Sequence, residues 1–262
     1  MKIYPLCSSS KGNCTYISDG RTAILVDIGI GIRCFSNQLA LAGLSPESLR
    51  AVFITHEHSD HIKGLSAFCK KYNLPVYASR GTLENLVMQG LLSDAYELRE
   101  INKKTADIDS IHVSAFHTSH DSAESLGFRI TFDDGKTAAV CTDLGFVSST
   151  VSEHLTGCDM VLLESNYDEQ MLTYGPYPAY LKRRIAGIFG HLSNEDCSNE
   201  VMRLLENGTR HFLLGHLSEE NNRPEVAYSH TISKLTYRGF CLGKDYTLEI
   251  APRTNVGKVL EY

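Results

Sequence analysis

The chain has 262 residues, 42% of them hydrophobic, with 25 basic against 31 acidic side chains and a formal net charge of −6. That length is enough for a sizeable core, and no apolar run approaches the ~20 residues that a membrane helix requires. The negative balance argues against a broadly basic nucleic-acid-binding surface but not against a local one, because bound divalent ions add positive charge that the total does not count.

Lys2 to Leu6 reads as a short strand with no signal-peptide apolar region. It leads into Cys7-Ser8-Ser9-Ser10-Lys11-Gly12-Asn13-Cys14, whose small residues predict a tight turn with exposed N–H groups and hydroxyls. Taken alone, that turn is a plain hairpin loop. The strand Ala23-Ile24-Leu25-Val26 ends in Asp27-Ile28-Gly29. Ser45-Pro46 is an N-cap followed by proline at the first helical position. Ala51 to Ile54 is a buried strand, and Leu65, Phe68, Cys69 and Tyr72 recur on one face of a helix over Lys63 to Tyr72. Between strand and helix stands Thr55-His56-Glu57-His58-Ser59-Asp60-His61.

Three imidazoles and a carboxylate within six residues make a dense set of metal ligands. Successive side chains of an extended segment alternate, so His56 and His58 share a face, while Asp60 and His61 are aimed at a neighbouring point. That placement suits two adjacent ions better than one. Asp27, ending a buried strand beside glycine, is expected to orient this histidine loop. The motif resembles the ligand signature of the metallo-β-lactamase-fold superfamily, which implies a fold and a metal site but not a reaction.

Pro75 to Ala78 is a further strand, and Gly81 to Gly90 a helix with Leu83, Leu86 and Val87 inward; residues 91 to 106 are too weakly patterned to assign. Ile111 to Phe116 alternates like a half-buried strand and runs into His117-Thr118-Ser119-His120-Asp121. Gly127 to Phe132, Asp133-Asp134-Gly135 and Lys136 to Cys141 form a hairpin that delivers Thr142-Asp143-Leu144-Gly145. Asp159 to Leu163 is a strand ending in Glu164-Ser165-Asn166-Tyr167. A helix from Ala179 carries Leu181, Ile185 and Ile188 on one side, beside Lys182, Arg183 and Arg184, a triplet that usually marks a solvated face. After Gly190-His191-Leu192, Ser193 or Asn194 caps a helix to Leu205. Phe212-Leu213-Leu214 leads to Gly215-His216, Pro224 to Leu235 is the last helix and Tyr246 to Ile250 the last strand. No linker or repeat interrupts the chain, so one domain over residues 1–262 is expected.

The resemblance extends along nearly the whole chain. It implies a four-layer αβ/βα sandwich, an α/β metallo-β-lactamase fold, with a binuclear site at the sheet edges. It gives one metal His56, His58, His120 and a bridging Asp143, and the other Asp60, His61, His216 and the same Asp143; His117 is a rival to His120. It makes Asp60 and Asp143 catalytic through the metals and leaves Glu164, like Asp27, behind the ligands. Two such ions lower the pKa of a bridging water and stabilise attacking and leaving oxygens, which suits displacement at phosphorus as well as lactam or thioester hydrolysis. Zinc, manganese and iron all fit the donors.

The Ser8–Asn13 stretch, Glu164-Ser165-Asn166 and Gly190-His191-Leu192-Ser193-Asn194 are similar to the YycJ/WalJ group (also called VicX). That similarity implies a cytoplasmic 5′→3′ exonuclease on double-stranded DNA, with Ser8, Ser9, Ser10, Asn13, His191, Ser193 and Asn194 at the substrate and His191 catalytic or phosphate-holding. Tyr167 departs from the group, where histidine is expected. The alternatives are a ribonuclease or small-phosphoester hydrolase, a glyoxalase-type thioester hydrolase, and a binding accessory of a two-component signalling system. The eight cysteines include no Cys-x-x-Cys pair, as fits reduced thiols in a cytoplasmic protein.

Overall fold

A computed structural model describes residues 1–101, 105–255 and 257–262. Period-two alternation along nearly every strand decides how it is layered. One sheet has the order β14 (Leu260–Glu261), β1 (Lys2–Ser9), β2 (Gly12–Ser18), β3 (Ala23–Val26), β4 (Leu49–Phe53), β5 (Val76–Ala78), β6 (Leu98–Glu100). The other has the order β13 (Thr247–Ile250), β12 (His211–Gly215), β11 (Met160–Glu164), β10 (Thr137–Cys141), β9 (Leu126–Phe132), β8 (Ile111–His117), β7 (Thr105–Ile108).

The side chains of each strand divide between two apolar layers. Ile24 and Val26 of β3, Phe53 of β4, Phe128 and Ile130 of β9 and Leu162 of β11 meet between the sheets. Leu25 and Val52 face outward, against Phe35 and Leu39 of α1 (Ile32–Leu41), Phe68 of α3 (Leu65–Tyr72) and Leu86 of α4 (Arg80–Met88). On the far side Val161, Leu163 and Phe212 are covered by α5 (Ser149–Leu155), α8 (Asn194–Glu206) and α9 (Pro224–Tyr237). Helix, sheet, sheet, helix is the four-layer sandwich that the resemblance implies. Among the described residues no helix is long and apolar enough to cross a membrane.

Direction matters for function. β3 and β4 are parallel, as are β10, β11 and β12, while β8 is antiparallel to β9, which is antiparallel to β10. The carboxyl ends of β3, β4, β8, β10, β11 and β12 therefore converge, and each delivers polar residues to that edge.

Several expectations change. Val87 is 44% exposed, because the buried stripe of α4 is narrow, with Thr82 and Leu86 as its buried residues. Ile188 lies beyond α7 (Ala179–Ile185) and is 63% exposed; the chain leaves the helix at Ala186 and Gly187 to reach the site. Cys7 to Cys14 is the end of one strand, a turn at Ser10-Lys11 and the start of β2, which was not expected as a strand. Of the unassigned stretch 91–106, β6 and the start of β7 are ordered elements, and residues 102–104 lie outside the described residues.

Phe128 packs edge-on to Phe53 at 5.5 Å, in the layer that joins the sheets. Phe128→Ala should lower the unfolding free energy by about 3–5 kcal/mol, read as a shift in denaturant midpoint. His112 sits between Asp107 and Asp133, 2.7 and 2.9 Å away, and these hydrogen bonds raise its pKa. Its stabilising effect is full below the ordinary histidine value and fades as pH rises through the raised one. The melting-temperature gap between wild type and His112→Gln should thus be wide at acid pH and close in alkali.

Candidate metal centre

The site is made where strands end, and three of those ends are strained. Asp27 after β3, Asp143 after β10 and His216 after β12 have φ of 61°, 60° and 53°. This left-handed region is sparsely populated by residues other than glycine, and aspartate and histidine are among those that tolerate it. Each strand turns sharply there and projects a polar side chain into the edge. Gly29 makes the turn after β3 possible: a Cβ there would lie 1.7 Å from the Asp60 carbonyl oxygen. The first sheet thus closes tightly on α2 (Ser59–Ile62), which carries Asp60 and His61.

Four overlapping groups of donor atoms result, the atoms of each lying within 4.8 Å of one another: His56, His58 and His120; His56, His61 and Asp143; Asp60, His61 and His216; Asp143, Glu164, His191 and His216. Four of the histidines, His56, His61, His120 and His216, are oriented from behind. His61 Nδ1 lies 2.7 Å from Asp27 and 3.1 Å from the Thr55 hydroxyl, and His56 Nδ1 lies 3.0 Å from the same hydroxyl. His120 Nδ1 meets the Gly190 carbonyl at 2.9 Å, and His216 Nδ1 meets Glu164 at 2.7 Å. With Nδ1 occupied in each, Nε2 is left for the interior of the cluster.

Glu164 does more than orient one ring. Its Oε1 also accepts from His191 Nδ1 at 2.8 Å, while Oε2 accepts from the backbone N–H groups of Leu144 and Leu192 at 3.0 and 3.2 Å. One buried carboxylate thereby ties β11, the loop after β10, the His191 loop and His216 together.

Charge is concentrated accordingly. Burial pushes the His216 imidazole down, but Asp143, Asp60 and Glu164 outweigh it and lift its pKa to about 10. Burial also opposes the charge of His61, yet Asp27 and Asp143 hold it well above the ordinary value. Asp143 is buried too, and the imidazoles of His216 and His61 keep it well below the usual carboxylate range. His56 is driven the other way, by burial and then by neighbouring His61, so its ring is neutral.

These donors fit a cation. His56 Nε2 and Asp143 Oδ2 are buried with no hydrogen-bond partner among the described residues. Such groups cost about 1–3 kcal/mol each when left unsatisfied, and a bound divalent ion would give them the partner they lack. Imidazole nitrogens with carboxylate oxygens suit zinc, manganese or iron.

The structure brings His56, His58, Asp60, His61, His120, Asp143 and His216 to this edge, with Asp27, Glu164 and His191 around them. His117 stands apart, its side chain 46% exposed and its nearest acidic group Glu124 at 3.9 Å. The expected substrate groups divide. Ser8 is buried and its hydroxyl accepts from the His216 N–H at 2.8 Å; Ser9 is buried and holds the turn through the Lys11 N–H. Asn13 reaches into the cluster, with Nδ2 3.1 Å from His61 Nε2 and 3.4 Å from Asp60. Ser10 is exposed at the turn.

Ser193 and Asn194 require correction. Ser193 is 1% exposed and caps α8 by accepting from the Asp196 N–H. The Asn194 side chain is held by the Ser165 hydroxyl at 2.7 Å and by Asn222. Both side chains build the loop rather than face its mouth. The sequence motif places them beside His191, but an N-cap and a buried amide consume them. Thr55 and Asn166 were the missed groups: Thr55 links Asp27 to two histidine rings, and Asn166 Nδ2 donates to the His216 carbonyl at 2.8 Å. Their positions at strand ends beside the motifs were the available signal.

A profile of the beta-lactamase superfamily domain matches residues 22–216. Exodeoxyribonuclease WalJ of Streptococcus pneumoniae is 35% identical over 244 residues, covering 92% of this chain and 90% of that protein. Exodeoxyribonuclease YycJ of Bacillus anthracis is 33% identical over 246 residues, covering 93% and 92%. Among solved structures, the metallo-β-lactamase fold protein YhfI from Bacillus subtilis superposes with a TM-score of 0.70 at 17% identity, over 99% of this chain and 98% of that one. Alike to WalJ and YycJ over nine-tenths of its length, the chain belongs to the beta-lactamase superfamily, in its WalJ/YycJ group of metallo-β-lactamase-fold proteins.

Proposed function

We infer that this chain is a metal-dependent nuclease, and we propose that it removes nucleotides from the 5′ end of double-stranded DNA. The observation that carries the proposal is the pair of donor groups His56/His58/His120 and Asp60/His61/His216 with Asp143 beside both, 3.6 Å from His120 Nε2 and 3.2 Å from His61 Nε2, in a chain alike over nine-tenths of its length to proteins named exodeoxyribonucleases. We assign those residues two divalent ions, with manganese, zinc or iron as the metal. Divalent ions bound there supply Lewis acidity and bring the pKa of a water towards neutrality, which suits hydrolysis of a phosphodiester.

The protein's own groups do the rest. Glu164 accepts from His191 Nδ1, so exchange of a proton or a hydrogen bond with a substrate oxygen falls to Nε2 of a ring that is 21% exposed. Asn13, bound to Ser9 and touching Asp60 and His61, holds the rim of the opposite sheet against the ligands. Ser10, exposed at the turn, is the hydroxyl of that loop available to substrate. The eight cysteines are all unpaired, in keeping with a reducing cytoplasmic setting.

Manganese-supplemented enzyme on 5′-phosphorylated duplex DNA should release nucleotides from the 5′ end, and Asp143→Ala should not. Absence of release from wild type with metal confirmed bound would shift the substrate to RNA or a small phosphoester. Glu164→Gln should lower turnover by about 10- to 100-fold, since an amide that keeps its oxygen on His191 and His216 turns its NH2 against the Leu144 and Leu192 N–H groups. Chelation should lower the melting temperature of wild type, and Asp143→Ala should blunt that response; saturation at ~100-fold over Kd contributes about 2.7 kcal/mol.

A further inference from the structure

Residues 170–194 contain no aspartate or glutamate, in a chain with 31 of them, and their charged residues are Lys182, Arg183 and Arg184. This stretch carries His191 near its end and is anchored to the metal centre by its backbone. The Gly190 carbonyl accepts from His120, the Phe189 carbonyl accepts from the Asp121 N–H at 3.1 Å, and the Ile188 carbonyl accepts from the Ser119 hydroxyl. The loop after Asp143 presses against it, since a Cβ on Gly145 would lie 2.4 Å from the Gly187 and Ile188 carbonyl oxygens.

With the backbone so held, the side chains are left outside. Tyr180 is 68% exposed, Ile188 63%, Phe189 55% and Phe146 44%. On α7, Tyr180, Arg183 and Arg184 are three and four residues apart and share a face. Arg184 is paired with Asp121 at 2.5 Å, and Lys182 donates to the Thr173 carbonyl at 2.7 Å. Arg183 is exposed and makes no ion pair among the described residues. Rings open to solvent beside an unneutralised guanidinium, at the rim of a site for phosphodiesters, match the chemistry of a strand whose bases are unstacked. A duplex keeps its base faces stacked and offers such rings little.

We propose that this face is a landing platform for an unpaired nucleic-acid strand at the metal centre, with bases stacking on Tyr180, Phe189 and Phe146 and Arg183 on a backbone phosphate. The proposal rests on the nuclease reading of the same site and adds the state of the strand that it takes.

The test is binding of a short single-stranded oligodeoxynucleotide with phosphorothioate linkages to the manganese-loaded enzyme, beside a blunt duplex and the matching oligoribonucleotide. The Tyr180→Ala/Phe189→Ala variant should bind the single strand at least about tenfold more weakly, with a smaller loss on duplex. Arg183→Ala should reduce the salt-dependence slope for single strands by about 0.7. A 2-aminopurine base in the strand should be quenched by wild type and not by the double variant, a readout that does not depend on comparing affinities. Affinity unchanged within about twofold, equal losses on duplex, or no quenching by wild type would overturn the platform. So would sedimentation showing that wild type self-associates through this face and the double variant does not. A wild type that cleaves no DNA but binds single strands through these rings would sink the nuclease reading and leave the platform standing. A wild type that cleaves DNA with the rings irrelevant would do the reverse. Comparable losses on the deoxy and ribo strands support stacking on bases; a loss confined to RNA would overturn it for a DNA-directed enzyme.

Discussion

Buried carboxylates facing imidazoles are the constraint on which this structure turns. Asp27, Asp143 and Glu164 are each at most 2% exposed, and a charge so enclosed is tolerable only when donors surround it. Asp27 is met by the Thr55 N–H and hydroxyl and by His61. Glu164 is met by two backbone N–H groups and two rings. The donors come from loops far apart in sequence, so the price of burying these charges is that many strand ends must arrive at one edge together. Sheet direction, the left-handed turns and the close approach at Gly29 all serve that arrival.

The same requirement separates what was legible in the chain from what was not. Strands with alternating apolar residues announce themselves, because period two is a local property; β3, β4, β8 and the β9–β10 hairpin fall where Ile24, Phe53, Val113 and Phe128 imply. The His56–His61 motif is dense enough to read unaided, and the distant ligands followed through a family resemblance. The failures are of another kind. Helix α1 buries Phe35, Gln38 and Leu39 and leaves Cys34 exposed, so its pattern is weak. Ser193 and Asn194 carry chemistry that suits a phosphate equally well and a cap equally well, and only the partners Asp196, Ser165 and Asn222 decide between them. Side chains with two possible employers cannot be assigned from one dimension.

Rigidity is distributed unevenly around the edge. Behind the ligands every polar atom of Thr55, Asp27 and Glu164 is engaged, a fixed scaffold that holds ring orientation without rearrangement. In front, the side chains of Ser10, Phe146 and Phe189 stand in solvent. The hydrogen-bonded groups thus lie behind the cluster and the solvent-exposed side chains in front of it.

The ligand atoms come from both sheets, and that division has a consequence in time. His56, His58, Asp60 and His61 belong to the half of the chain made first, while Asp143 and His216 follow strands β10 and β12 of the second sheet. As the polypeptide grows, these three imidazoles and one carboxylate are made before Asp143. Their donor chemistry is set by the first part of the chain, and their spacing from Asp143 and His216 is set only when the second sheet is in place. Docking of the sheets is therefore the step that completes this set of donors as well as the fold.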